Sequence, residues 1–164
     1  MIYVLQIRTG EEETVQEQLR RKGISSLLPQ ELRLIRRQGC WMQELYKLLP
    51  GYLFVEMDYS DGLYYAIVSL PAVLRVLKAD GRPAPLPENE ERYIRFLGEH
   101  TLYPSLVRRL PDGQGQPLSG VLTQLIDGVI RYDWHARRAT VTISMFGSVK
   151  TLRLSFRIPE EPVG

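Results

Sequence analysis

The sequence predicts an α+β fold in two parts: an N-terminal antiparallel sheet flanked by helices, then a small β-barrel. Three observations predict it. Apolar, β-prone residues open the chain at positions 2–8 and recur at 52–57, directly after the Pro50-Gly51 break. Stretches with helical spacing lie between such runs, the pattern of helices packed on a sheet. Near the C-terminus Thr140, Thr142 and Ser144 alternate with Val141, Ile143 and Met145, the period of a half-buried strand.

Each element has a local reason. Tyr3, Val4 and Ile7 make the first strand, and Thr9-Gly10 ends it. Glu11, Glu12 and Glu13 suit the first turn of a helix, where the macrodipole favours acids. They read as a solvated helix start. Val15 and Leu19 share a face, Arg20, Arg21 and Lys22 close the helix, and Gly23 fits the position just past its end. Residues 26–35 read as the next strand, with Pro29 at an edge or bulge. Residues 32–48 form a hairpin around the basic turn Arg36-Arg37-Gln38-Gly39. A central strand follows at 52–57. Ser60-Asp61 caps a helix that runs to Val68, with Leu63, Tyr64 and Ile67 at helical spacing. Pro71 stops it. A strand at 73–77, a turn at Gly81-Arg82-Pro83 and a helix over 87–98 complete the first part.

Residues 101–119 hold Pro104, Pro111, Pro117, Gly113 and Gly115 and have the composition of a linker. Strands are expected at 120–130, 139–145 and 149–158, with turns at 133–138 and at Phe146-Gly147-Ser148. The domain expectation is 1–102, a linker over 103–118, and 119–164.

Composition narrows the function. The 164 residues suffice for one ordinary domain or two small ones, and 44% hydrophobic residues support a packed core. A net charge of +2 places any nucleic-acid surface in local patches. The single Cys40 forms no internal disulfide, which fits a reducing cytosol. No run approaches the ~18 apolar residues of a membrane helix, and the strand-like start leaves no room for a signal peptide. No catalytic constellation, metal-ligand spacing or cofactor motif is visible. His100 and His135 read as surface residues. A cytoplasmic, monomeric binding protein without catalysis, cofactor or metal is expected.

Several strings together carry a family resemblance. Ile2-Tyr3-Val4 followed by Thr9-Gly10-Glu11-Glu12, the run Leu49-Pro50-Gly51-Tyr52-Leu53-Phe54-Val55-Glu56-Met57, and Gly81-Arg82-Pro83-Ala84-Pro85-Leu86 stand in order. Asp127-Gly128-Val129-Ile130 and Ala139-Thr140-Val141-Thr142-Ile143-Ser144-Met145-Phe146-Gly147 follow. In order and spacing the chain resembles the NusG family of transcription elongation factors. The resemblance implies an NGN-like polymerase-binding domain and a KOW-like, SH3-like barrel. Departures include Leu49 where Phe is usual before Pro-Gly, Ser148 where Arg often follows Phe-Gly, Ser69-Leu70 where Asn-Thr often stands, and an altered front half of the KOW motif around residues 116–120. With the short length these are similar to a specialised branch of the LoaP or RfaH kind.

The resemblance implies that Tyr3, Leu49, Pro50 and Tyr52 grip the clamp helices of RNA polymerase and promote processive elongation and antitermination. It implies contact of nontemplate DNA with Arg33, Arg36, Arg37 and Ser69. Arg131, His135, Arg137, Arg138 and Lys150 suit a nascent RNA hairpin, because cations sit beside Tyr132 and Trp134. Met145 and Phe146 match the barrel tip that meets a small-ribosomal-subunit protein or Rho. Two other readings stay open: a housekeeping NusG that modulates pausing and Rho-dependent termination, and a KOW-type RNA- or ribosome-binding module.

Overall fold

The computed structural model describes residues 1–125 and 128–160. Asp127 of the second-half motif and residues 161–164 of the expected barrel lie outside the described residues. The elements run in this order: β1 (Ile2–Ile7), α1 (Glu12–Arg21), β2 (Ser25–Leu27), β3 (Gln30–Arg37), β4 (Cys40–Lys47), β5 (Tyr52–Glu56), α2 (Asp61–Val68) and β6 (Val73–Val76). Then come β7 (Lys78–Ala79), β8 (Arg82–Pro83), α3 (Glu88–Gly98), β9 (Ser105–Arg109), β10 (Gly115–Ser119), β11 (Val129–Asp133), β12 (Arg138–Met145) and β13 (Ser148–Arg157). The chain is α+β, and it divides into two units.

The first unit holds Met1–Pro29, Leu49–Glu99 and Met145–Gly147. Its sheet has the order β2-β5-β1-β6, all antiparallel. Tyr3 pairs with Val55 and Leu5 with Leu53, so these four share one face. That face buries Tyr3, Leu5, Ile7, Leu53 and Val55 with Val15 and Leu19 of α1 and Ile67 of α2. The opposite face carries Ile2, Val4 and Phe54, all fully buried. The Ser60 hydroxyl accepts the Leu63 N–H at 3.1 Å and starts α2, as its position before an apolar run predicts. The expected single strand at 26–35 is broken at Leu28-Pro29 into β2 and β3. Proline has no N–H to give to a ladder there.

The second unit holds Gln30–Leu48, His100–Ser144 and the chain from Ser148 onward. Its sheet has the order β10-β9-β13-β12-β11. Along β12 the alternation resolves as Ala139, Val141 and Ile143 buried. Leu152, Leu154, Phe156 and Val107 complete the core.

The residues expected to be a linker are corrected. Over 103–118 the chain makes β9 and β10, an antiparallel pair that enters the sheet. Pro117 is accommodated because β10 is an edge strand, and Gly115 because the Tyr132 ring occupies the space where a side chain would stand. The strand expected at 120–130 is a 3-10 turn at Val121–Thr123, followed by β11. The β3–β4 hairpin, expected within residues 1–102, groups with the second unit. Its reason is polar: the Leu34 N–H donates to Ser155 Oγ at 2.9 Å, the Leu32 N–H donates to Leu102 C=O at 2.8 Å, and the Leu102 N–H donates to Gln30 C=O at 2.9 Å.

Candidate functional site

The Pro50-Gly51 turn is held by a buried carboxylate. Leu49 C=O accepts the Tyr52 N–H at 3.1 Å, and Gly51 has φ +84, a left-handed value that favours glycine. A Cβ there would stand 3.3 Å from Thr9 Oγ1. Glu12 accepts the Gly10 N–H at 2.6 Å and the Gly51 N–H at 3.1 Å, with no exposure to solvent. The solvated-start reading is therefore corrected for Glu12. Its carboxylate joins the turn after β1 to the turn before β5.

The four residues assigned to the polymerase do not share a face. Tyr52 pairs with Gln6, on the face of Val4 and Phe54, and is half-exposed. Pro50 beside it is exposed, and Leu49 is buried beneath the turn. Tyr3 is buried on the opposite face, with its ring 5.7 Å from that of Tyr59. Burial, then the Asp58 charge, pushes the Tyr3 hydroxyl up. On the Tyr52 face Gln6 accepts a bond from Arg75 at 2.6 Å, and Glu56 accepts two from Arg95 at 2.8 and 3.0 Å. The Arg95 hydrogen bond holds the Glu56 carboxyl below its ordinary range.

A tyrosine ladder on the other face escapes sequence reading. Tyr59 lies 6.3 Å from Tyr64, which meets Tyr65 edge-on at 5.5 Å. Only the crowding of tyrosine at 59, 64 and 65 signals it. Ser69, assigned to DNA, sits at the end of α2 in the first unit and donates to Ala66 C=O at 2.8 Å. The arginines assigned with it are in the second unit.

Those arginines fall on two faces of the hairpin. Arg33 and Glu44 are cross-strand partners, as are Arg36 and Trp41 further along the ladder on the opposite face. Arg33 contacts the Glu31 carboxylate at 3.2 Å and stacks over the Tyr46 ring at 4.5 Å. Arg37 pairs with Glu44 at 2.5 Å. Arg36 has no ion pair among the described residues and lies 5.7 Å from the Trp41 ring centre.

One RNA assignment is corrected. Arg138 is 8% exposed and points inward, donating to the Ala136 and Arg137 carbonyls. It faces a buried polar centre in which Glu31 accepts the Ser155 N–H at 2.9 Å. Burial, then the like charge of Arg33, lowers Arg138 to about 10. Burial likewise pushes the Glu31 carboxyl up, against the Ser155 N–H and Arg33. A guanidinium in this position orders the interior and cannot reach a phosphate.

Tyr132 and Trp134 are also spent internally. Their rings stack 5.4 Å apart, and both meet Phe156 edge-on. Trp134 donates to Gly113 C=O at 3.3 Å, and Arg109 lies 5.2 Å over its ring. Arg131 and His135 are exposed, and Lys150 is half-buried on β13. Met145 is 3% exposed, so its side chain faces the core rather than a partner. Phe146 (φ +53) and Gly147 turn the chain, and their N–H groups donate to the Glu90 carboxylate. Among the described residues no three His, Cys, Asp or Glu side chains form a metal cluster, and no helix is long and apolar enough to cross a membrane.

Comparison with known proteins agrees with these strings. A family model described as transcription termination factor NusG matches residues 2–95. The transcription termination/antitermination protein NusG of Buchnera aphidicola (from Acyrthosiphon pisum) is 27% identical, with 97% of this chain and 94% of that protein covered. The Haemophilus influenzae protein of the same name is 25% identical, over 94% and 90%. A solved structure of Thermotoga maritima NusG shares the fold, with a TM-score of 0.54 at 21% identity, over 94% of this chain and 92% of that one.

Proposed function

Since this chain belongs to the NusG family of transcription termination and antitermination factors, we propose that it binds the clamp helices of RNA polymerase through the Tyr52 face and favours processive elongation. The observation that carries the proposal is the half-exposed Tyr52 beside exposed Pro50, on a turn locked by the buried Glu12. A helix docking into a groove needs a rigid aromatic anchor that is ordered before the partner arrives. Leu49 supports the turn from below. Tyr3 acts from the far side of the sheet, as packing.

The protein acts by binding, in the cytoplasm and as a monomer, and needs no cofactor. Arg36 on the hairpin and Arg131 and His135 on the second unit provide cations for nontemplate DNA or nascent RNA. The Phe146 turn is the place for a small-ribosomal-subunit protein or Rho. Leu49 in place of the family's Phe supports a specialised antiterminator of the LoaP or RfaH kind.

The test is Tyr52→Glu, measured by titration against core polymerase. A central aromatic anchor carries about 2 kcal/mol or more, so affinity should fall about 30-fold or further with the circular dichroism spectrum unchanged. Native affinity in the folded variant would remove Tyr52 from the contact.

A further inference from the structure

The hairpin and the turn before β12 meet at one ring. Trp41 stands at the start of β4, just after the left-handed pair Gln38 (φ 51) and Gly39 (φ 76), and is half-exposed. Arg36 comes to it from the paired strand, with its guanidinium carbon 5.7 Å from the ring centre. Arg137 comes from the turn before β12, itself at φ +58, with its guanidinium carbon 5.6 Å away. Two residues separated by about a hundred positions therefore place cations against one indole.

We infer that Trp41 is a stacking platform for one base of a single-stranded nucleic acid, with Arg36 and Arg137 taking the adjoining phosphates. The chemistry favours this exchange. A guanidinium over an exposed aromatic ring is worth about two- to fivefold in an equilibrium. A base stacked on such a ring is worth about five- to 150-fold. An arriving base therefore outcompetes an arginine for the ring, and the displaced guanidinium finds a phosphate, which its planar fork suits better. Glu44 does not draw Arg36 away from a strand. Glu44 lies on the other face of the hairpin, paired with Arg37, and Asp133 accepts the Ala136 N–H with Arg153 3.9 Å away. Ring stacking and phosphate contact read neither sugar nor sequence, so RNA and DNA strands should bind alike. A duplex hides its base faces and should bind more weakly.

This inference rests on the reading of the hairpin as nucleic-acid-facing, but its test is separate from the polymerase contact. With Trp134→Phe the full chain keeps Trp41 as its one tryptophan. Its emission is followed on titration with oligouridylate and oligothymidylate of about 12 nucleotides, and with a duplex of equal length. Quenching by both single strands, with weaker duplex binding, is expected. With labelled strands, Trp41→Leu should weaken binding about five- to 150-fold, and Trp41→Phe less. Arg36→Ala keeps the ring and should flatten the dependence of log K on log salt by about 0.7. Unchanged emission at saturation, a duplex that binds as tightly as the strands, or an Arg36→Ala slope equal to that of the native chain would each overturn the inference. A native chain that binds polymerase and no oligonucleotide overturns it alone. A folded chain that binds neither overturns the polymerase reading as well.

Discussion

Replacing Glu12 by Ala should destabilise the first unit far more than any neighbouring acidic substitution. Glu12 is fully buried, and its two oxygens serve the N–H groups of Gly10 and Gly51, the second across 39 residues of sequence. Alanine strands both donors. A buried donor left without a partner costs about 1–3 kcal/mol. The Gly51 N–H is enclosed and bears the full cost, while Gly10 is partly reached by water, so the loss sums to about 2–4 kcal/mol. Domains hold only about 5–15 kcal/mol in all, so the change is large. Glu12→Gln keeps one acceptor oxygen and should cost roughly half as much. Glu13→Ala, at an exposed site on the same helix turn, should stay within about 0.5 kcal/mol. Urea unfolding of the full chain, followed by tyrosine and tryptophan emission, gives the midpoints. Glu12→Gln should also weaken polymerase binding, because the Tyr52 turn loses one tether. If Glu12→Ala and Glu13→Ala unfold at the same midpoint, the clamp argument fails.

Two further predictions follow from the second unit. Burial raises the Glu31 carboxyl above its ordinary 4.5. A raised acid binds its proton more tightly when folded. Its contribution to stability is therefore full below 4.5 and is lost as pH rises through the folded value. The stability of the native chain relative to Glu31→Gln should shrink from pH 4 towards neutrality, and urea midpoints that differ by a constant amount would count against it. Gly120 has φ +91, and a Cβ there would stand 2.8 Å from Ser105 Cα, so Gly120→Ala should cost about 1–3 kcal/mol in thermal or urea unfolding. A neutral result would mean that the β9–β10 segment yields more easily than its packing indicates.

The first unit was legible where one rule governed each element. Apolar, β-prone runs gave β1 and β5, the acid-to-base gradient gave α1, and Ser60 gave the start of α2. Which residues share a face is also a local matter within one strand. That Tyr3 and Tyr52 part company was not local, because it depends on the pairing of Gln6 with Tyr52. The 103–118 segment misled because its signals for edge strand and linker are the same ones, glycine and proline. Only partners distant in sequence separate the two. Glu12 and Arg138 look like surface charges for a similar reason: what shelters them is backbone and side chains far along the chain. Trp41 reads as an ordinary strand aromatic until the turn before β12 is placed beside it.

The polar centre around Ser155 carries a consequence for biosynthesis. The hairpin at Gln30–Leu48 leaves the ribosome early, but the hydroxyl that receives the Leu34 N–H arrives 121 residues later. At about 5–20 residues per second this is a wait of roughly 6–24 s. Throughout it, Glu31 lacks the Ser155 N–H that it accepts in the folded unit. Nascent chains arrested before residue 155 should thus be cut by protease within the hairpin, and chains released after it should resist. The last strand to be made is the one that decides when the hairpin has a home.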